Sequence, residues 1–197
     1  MMAPIRVTMN ANDRNELLAM LARESYFERE LTLASGRASN YYVDCKRTLY
    51  LPRGAHLAGE LMLALVSAER IGQIGGMAAG ALPVTDAIVG AAWRHGYDLT
   101  GFFVRKEMKD HGLQQQIEGA FRTDRLTAVI DDTITTGGSS LQAVAAMRAA
   151  GAQVTHAFAL VERGEGAAQA FAAAGLKYVY LFTADQVRDA ARAGRSG

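Results

Sequence analysis

The stretch Thr127-Ala-Val-Ile-Asp-Asp-Thr-Ile-Thr-Thr-Gly-Gly-Ser-Ser140 decides the fold. An apolar run ends in two adjacent acids, Asp131 and Asp132, and passes into a turn of hydroxyls and glycines that opens an alanine-rich segment. That order reads as a buried strand, a turn and a helix. In open α/β sheets ligands gather beyond the carboxyl ends of strands, so the groups of this turn line a site. Gly137 and Gly138 let the backbone come close to a bound group, and the amides and dipole of a helix N-terminus attract an anion. Thr135, Thr136 and Ser139 add hydroxyl donors. Carboxylates repel phosphate, so Asp131 and Asp132 serve differently, by accepting hydrogen bonds from sugar hydroxyls or by meeting a magnesium ion through its water shell. Together the parts describe a cradle for a ribose 5-phosphate. An ordinary capped strand-turn-helix gives no reason for two acids on a buried strand, where unpaired charge costs stability. The other glycine cluster, Gly75 to Gly80, is followed by Ala81 and fits neither a Walker A loop nor a dinucleotide fingerprint.

Outward from this stretch, apolar strands alternate with alanine-rich helices from about Gln73 to Phe182, the pattern of parallel βαβ units. The strands are expected at Gln73–Met77, Leu99–Val104, Leu126–Asp131, Val154–Val161 and Tyr178–Phe182. Helices are expected near Val84–His95, Ser139–Ala150 and Gly166–Ala174, ending at Gly96, Gly151 and Gly175, residues that tolerate positive φ. Before Gln73 the pattern is different. Asp13 and Glu16 read as a capping box for an amphipathic helix that ends before Leu31. Short strands at Leu31–Ser35 and Tyr41–Asp44 flank a turn over Gly36 and Arg37, and Pro52 suits the first position of another helix. The segment from Lys106 to Phe121 is polar, charged and weakly patterned, which predicts a mobile loop.

The chain has 197 residues, half of them hydrophobic, enough for one domain with a substantial core. Its 21 basic and 20 acidic residues leave a formal charge of +1, which argues against a general nucleic-acid or membrane-surface binder. The single cysteine, Cys45, excludes an internal disulfide and suits burial in a reducing cytoplasm. Met1 to Arg14 lacks the apolar core of a signal peptide, and no apolar run reaches membrane-spanning length. His56, His95, His156 and Trp93 fall on expected helices or a strand, where packing explains them; Tyr41 or Tyr42 could border a bound base.

The apolar strand, acidic pair and Thr/Gly turn resemble the signature of the type I phosphoribosyltransferases, which implies binding of phosphoribosyl pyrophosphate (PRPP). Arg105-Lys-Glu-Met-Lys-Asp-His-Gly112, continuing to Ile117-Glu-Gly119, resembles the catalytic loop of the orotate phosphoribosyltransferases within that family. Leu31-Thr-Leu-Ala-Ser-Gly-Arg-Ala-Ser-Asn-Tyr-Tyr-Val-Asp44 resembles their N-terminal hood over the base, and Val161-Glu-Arg-Gly-Glu165 the segment whose arginine meets the orotate carboxylate. Two lysines of many orotate enzymes are missing here, at Ala34 and in Gly76-Met-Ala-Ala-Gly-Ala-Leu-Pro83.

The resemblance implies an α/β fold, a parallel sheet flanked by helices with a small N-terminal α+β hood. Residues 1–70 would supply the first helix, the hood and the first core helix, and 71–197 the core with its lid at 106–121, all in one compact unit. PRPP would be held by Arg105, Lys106, Lys109, His111, Asp131, Asp132, Thr133, Ile134, Thr135, Thr136, Gly137, Gly138 and Ser139. Of these, Lys106, Lys109, His111, Asp131 and Asp132 would be catalytic, and orotate would meet Thr135 and Arg163. Magnesium would arrive with PRPP and water, with no direct protein ligand. The family's shared sites imply a homodimer, and neither nucleic acid nor membrane is expected as a partner. Two rivals are weighed against this: a purine or uracil specificity, opposed by lid and hood, and a non-catalytic PRPP sensor, which needs no four cations aimed at a leaving pyrophosphate.

Overall fold

The computed structural model describes residues 7–32, 38–106 and 116–195. The chain opens with α1 (Ala11–Met20), extended by one wider helical turn at Leu21–Ser25. Asn10, not Asp13, caps it: the Asn10 side chain accepts from the Asn12 amide at 2.9 Å. Asp13 and Glu16 instead face Arg53 across the helix pair, and the Arg53 Nε lies 2.8 Å from Glu16. The charge pairing of those two acids with a distant arginine outcompetes the local capping box read from their spacing.

β1 (Tyr26–Thr32) and β2 (Ala38–Val43) form an antiparallel two-stranded sheet of their own. β1 starts five residues earlier than the alternation suggested; the expected turn over Gly36 and Arg37 lies outside the described residues. A short helix, α2 (Lys46–Leu49), then leads into α3 (Pro52–Ala68), which starts at proline as expected.

The core sheet has six strands: β3 (Gln73–Met77), β4 (Thr100–Val104), β5 (Ile117–Gly119), β6 (Leu126–Ile134), β7 (Gln153–Glu162) and β8 (Lys177–Thr183), in the order β5-β4-β3-β6-β7-β8. All neighbours are parallel except β4 and β5. The crossover helices are α4 (Ala81–Arg94), α5 (Gly138–Ala149) and α6 (Ala167–Ala173), and α7 (Ala184–Arg195) closes the chain. β5 corrects the reading of Lys106–Phe121 as one loop; its three residues are too few to leave an alternation in the sequence. Gly96, Gly151 and Gly175 all have positive φ.

Strand alternation sorts the core onto both faces of the sheet. Ala128, Ile130, Phe158 and Leu160 join one cluster with Leu17, Leu57, Leu61 and Ile88; Val129, Ala157 and Ala159 join the other with Val144, Met147 and Phe171. α3 and α4 touch closely because Gly59 has no side chain: a Cβ there would come 2.3 Å from the Ala87 carbonyl oxygen. Trp93, expected to pack, is 86% exposed. It follows the buried stripe Val84, Ile88, Ala91 and Ala92 and falls off its edge.

Candidate active site

The strand order turns back between β3 and β6. From β3 the chain winds through α4 to β4 on one side, whereas from β6 it winds through α5 to β7 on the other. The loops leaving β3 and β6 therefore separate and leave a crevice, the place where open α/β sheets bind ligands. β6 continues to Ile134 while its pairing with β3 ends at Val129. Asp131 and Asp132 thus lie within the strand but beyond its partner, facing the loop after β3. A Cβ on Gly80 would come 2.9 Å from Asp131 Oδ1 and 3.2 Å from Asp132 Oδ1.

The two acids are held from their own backbone. The Asp132 amide donates to Asp131 Oδ1 at 3.0 Å, the Thr133 amide donates to Asp132 Oδ1 at 2.7 Å, and the Ser140 hydroxyl reaches Asp131 Oδ2 at 3.5 Å. Burial raises the pKa of Asp131, and the adjacent Asp132 charge raises it further. Burial also raises Asp132, against the pull of the Lys46 ammonium. Lys46 is half-exposed at the start of α2; its Nζ lies 2.8 Å from Asp44 Oδ1 and 3.7 Å from Asp132 Oδ2. Burial works against that ammonium, but the Asp44 bond and the Asp132 charge outweigh it and hold it charged.

Past Ile134 the chain turns through Thr135, Thr136 and Gly137, where φ is +82°. A Cβ at Gly137 would also meet the Phe171 ring at 3.0 Å, so conformation and packing both require glycine. α5 starts at once, with the Leu141 amide bonded to the Gly137 carbonyl at 2.8 Å. The first amides of a helix lack carbonyl partners within it, so those around Gly138 and Ser139 face outward. A cavity of about 250 Å³ runs from Asp131 along this turn to Gln142 and takes in Thr133, Ile134, Thr135, Thr136, Gly137, Gly138 and Ser139. Its floor of amides and hydroxyls suits a phosphate monoester.

Arg163 comes directly after the neighbouring strand, β7. Its amide donates to the Ile134 carbonyl at 3.0 Å, which ties it to the phosphate turn. The side chain is 3% exposed, with Nε 3.2 Å from Glu165 and the guanidinium 4.5 Å above the Tyr41 ring from the hood. A planar cation held in this way can meet a planar anionic ring.

Arg105 closes β4, where it pairs with Glu118 of β5 at 2.9 Å, and Lys106 is exposed just beyond it. Lys109 and His111 lie outside the described residues, as do Ala34 and Arg37. His95 and His156 bond to Glu60 and Glu69, away from the crevice. Cys45 is fully buried, with Sγ 3.3 Å from the Thr133 hydroxyl; burial and the Asp132 charge raise its pKa. The roles of Lys46 and Glu165 and the Cys45–Thr133 contact are not apparent from the sequence. Only Lys46 left a signal, as a base two residues past Asp44 at the end of the hood. Among the described residues no helix is long and apolar enough to cross a membrane, and no group of three or more ligating side chains could hold a metal.

No family model matches the chain. An orotate phosphoribosyltransferase of Bradyrhizobium sp. (strain ORS 278) is 43% identical over 175 residues, 87% of this chain and 95% of the relative. One from Rhodopirellula baltica is 43% identical over 177 residues, covering 87% and 92%. The crystal structure of Mycobacterium tuberculosis orotate phosphoribosyltransferase in complex with 5-phospho-alpha-D-ribosyl 1-diphosphate has a TM-score of 0.75 at 36% identity, over 89% of this chain and 98% of that one.

Proposed function

The chain belongs to the orotate phosphoribosyltransferases, and from that premise we propose how its own residues carry out the transfer of ribose 5-phosphate from PRPP to orotate. Orotate N1 attacks the anomeric carbon, pyrophosphate leaves from the opposite side, and orotidine 5′-monophosphate forms for pyrimidine (UMP) synthesis. The observation that carries the residue assignment is the acid pair running straight into the phosphate turn, with Arg163 bonded to that turn through Ile134.

The 5-phosphate sits on the amides from Gly137 to Ser139 and the hydroxyls of Thr135, Thr136 and Ser139, with Thr133 and Ile134 forming the wall. Asp131 and Asp132 accept from the ribose hydroxyls and favour the positive charge that grows on the ring. Arg105 at the base of the lid, and Lys106, Lys109 and His111 in it, meet the pyrophosphate as negative charge collects there. Each fixed group of this kind is worth on the order of 10² to 10³ in rate. Arg163 and the Thr135 hydroxyl receive orotate. Closure of the lid keeps water from the cationic sugar.

The donor set fits magnesium: two adjacent carboxylate side chains offer hard oxygen atoms, too few for a protein cage but suited to a hydrated ion carried by PRPP. Held there through water by Asp131 and Asp132, such an ion would supply charge neutralisation for the leaving pyrophosphate. We further infer a homodimer in which each lid reaches the neighbour's site, with hood and core in each chain working as one unit in the cytoplasm. Nucleic acid and membrane have no part in this reading.

The test is loss of orotate absorbance when purified protein meets PRPP and magnesium, with uracil, adenine and hypoxanthine followed in parallel by pyrophosphate release. Turnover with orotate alone is expected. Turnover confined to another base would overturn the role given to Arg163, and PRPP binding without turnover on any base would favour a sensor.

A further inference from the structure

Asp44 stands just past the hood strand β2, and Asp132 lies near the carboxyl end of β6. The Lys46 ammonium stands between hood and strand, 2.8 Å from Asp44 and 3.7 Å from Asp132. The preceding residue makes a parallel contact, because Cys45 Sγ lies 3.3 Å from the Thr133 hydroxyl. Two consecutive residues of the hood-to-core junction thus face two consecutive residues of the phosphate strand, one by a hydrogen bond and one by an ion pair. Asp132 Oδ1 accepts from the Thr133 amide at 2.7 Å, and the Lys46 ammonium forms an ion pair with Oδ2 at 3.7 Å, longer than a hydrogen bond. The Asp132 side chain is 8% exposed, so its remaining hydrogen-bonding capacity is restricted to the crevice.

We propose that Lys46 is a positioning residue for the transfer, fixing the Asp132 carboxylate toward the ribose hydroxyls and linking its orientation to the seating of the hood. The proposal rests on the reading of Asp132 as a ribose holder. A carboxylate free to rotate by an ångström loses much of its stabilisation of the developing charge, a misplacement worth about 10²-fold in rate.

The experiment compares Lys46→Met, Lys46→Arg and the pair Lys46→Met/Asp132→Asn with wild type, by steady-state kinetics in both substrates and by thermal unfolding. Lys46→Met should lower kcat about 10- to 100-fold with the KM for orotate within about twofold, because Arg163 is untouched. Lys46→Arg should restore most of that loss. On an Asp132→Asn background Lys46→Met should add almost nothing, since the two act as a unit. Equal activity of Lys46→Met and wild type would overturn the proposal. So would a KM effect on PRPP alone that arginine fails to rescue, which makes Lys46 a simple substrate contact, or a loss of melting temperature that accounts for the lost activity. A wild type that fails to convert orotate would instead bring down the functional reading on which the proposal stands.

Discussion

Asp131→Asn should make the protein more stable and nearly inactive. The substitution preserves shape and keeps an oxygen for the Asp132 amide now 3.0 Å from Oδ1, while the new amide group faces the Ser140 hydroxyl. What it removes is a buried charge beside a second carboxylate, with no cation among the ion pairs found at Asp131 in the described residues. The folded pKa is raised above the ordinary 3.8, so the folded chain retains a proton that the unfolded chain releases. The group's contribution to stability is therefore full below about pH 4 and is lost as the pH climbs toward the folded value. Replacing such a charge by a neutral group recovers about 1–4 kcal/mol. For a chain of this size each kcal/mol is worth roughly 2–4 °C, so a gain of about 2 kcal/mol raises the melting temperature by roughly 4–8 °C at about pH 8. The advantage should shrink toward zero near about pH 4, while turnover falls by about 10²- to 10³-fold. Melting curves across that pH range, beside the orotate assay, measure both effects. A variant that melts below wild type at about pH 8, or whose advantage does not change with pH, refutes the reasoning about the paired acids.

Arg163→Ala should raise the KM for orotate about 10- to 150-fold and leave that for PRPP near wild type; Arg163→Lys should recover little, because lysine lacks the planar fork. Equal effects on both substrates would count against a base contact. Gly137→Ala combines a left-handed backbone with contact against Phe171, so it should cost about 1–3 kcal/mol by urea unfolding and weaken PRPP binding in a titration. Mixing Lys106→Ala with Asp132→Asn subunits should restore up to about a quarter of wild-type activity, since half of randomly formed dimers would hold one intact site out of two. Mixtures as inactive as either parent would mean that the lid serves its own subunit.

The parallel strands from Gln73 onward are legible because each is a short apolar run closed by a glycine or a polar turn, and Gln73–Met77 matches its expected bounds. The strand-turn-helix around Gly137 was legible for the same reason: its chemistry is continuous in sequence. α7 leaves little trace in the sequence because Ala184, Val187 and Ala191 are its only buried apolar positions among the described residues, too sparse a stripe to stand out. β5 was hidden by its length. The contact of Cys45 and Lys46 with Thr133 and Asp132 joins segments more than eighty residues apart, and nothing local in either segment announces the other. Capping at Asn10 is masked in the sequence because Asp13 and Glu16 have the spacing of a capping box, while their partner Arg53 lies 40 and 37 residues away.

The bond from the Arg163 amide to the Ile134 carbonyl makes the sheet a measuring gauge. The arginine and the phosphate turn hang from adjacent strands of one rigid ladder, whose spacing of about 4.8 Å is set by backbone chemistry that side-chain substitution leaves alone. The span between a nucleotide's ring and its phosphate is thus compared with a fixed length. Analogues stretched or shortened by a single methylene should be rejected by misfit at one end, even when both ends carry the right groups.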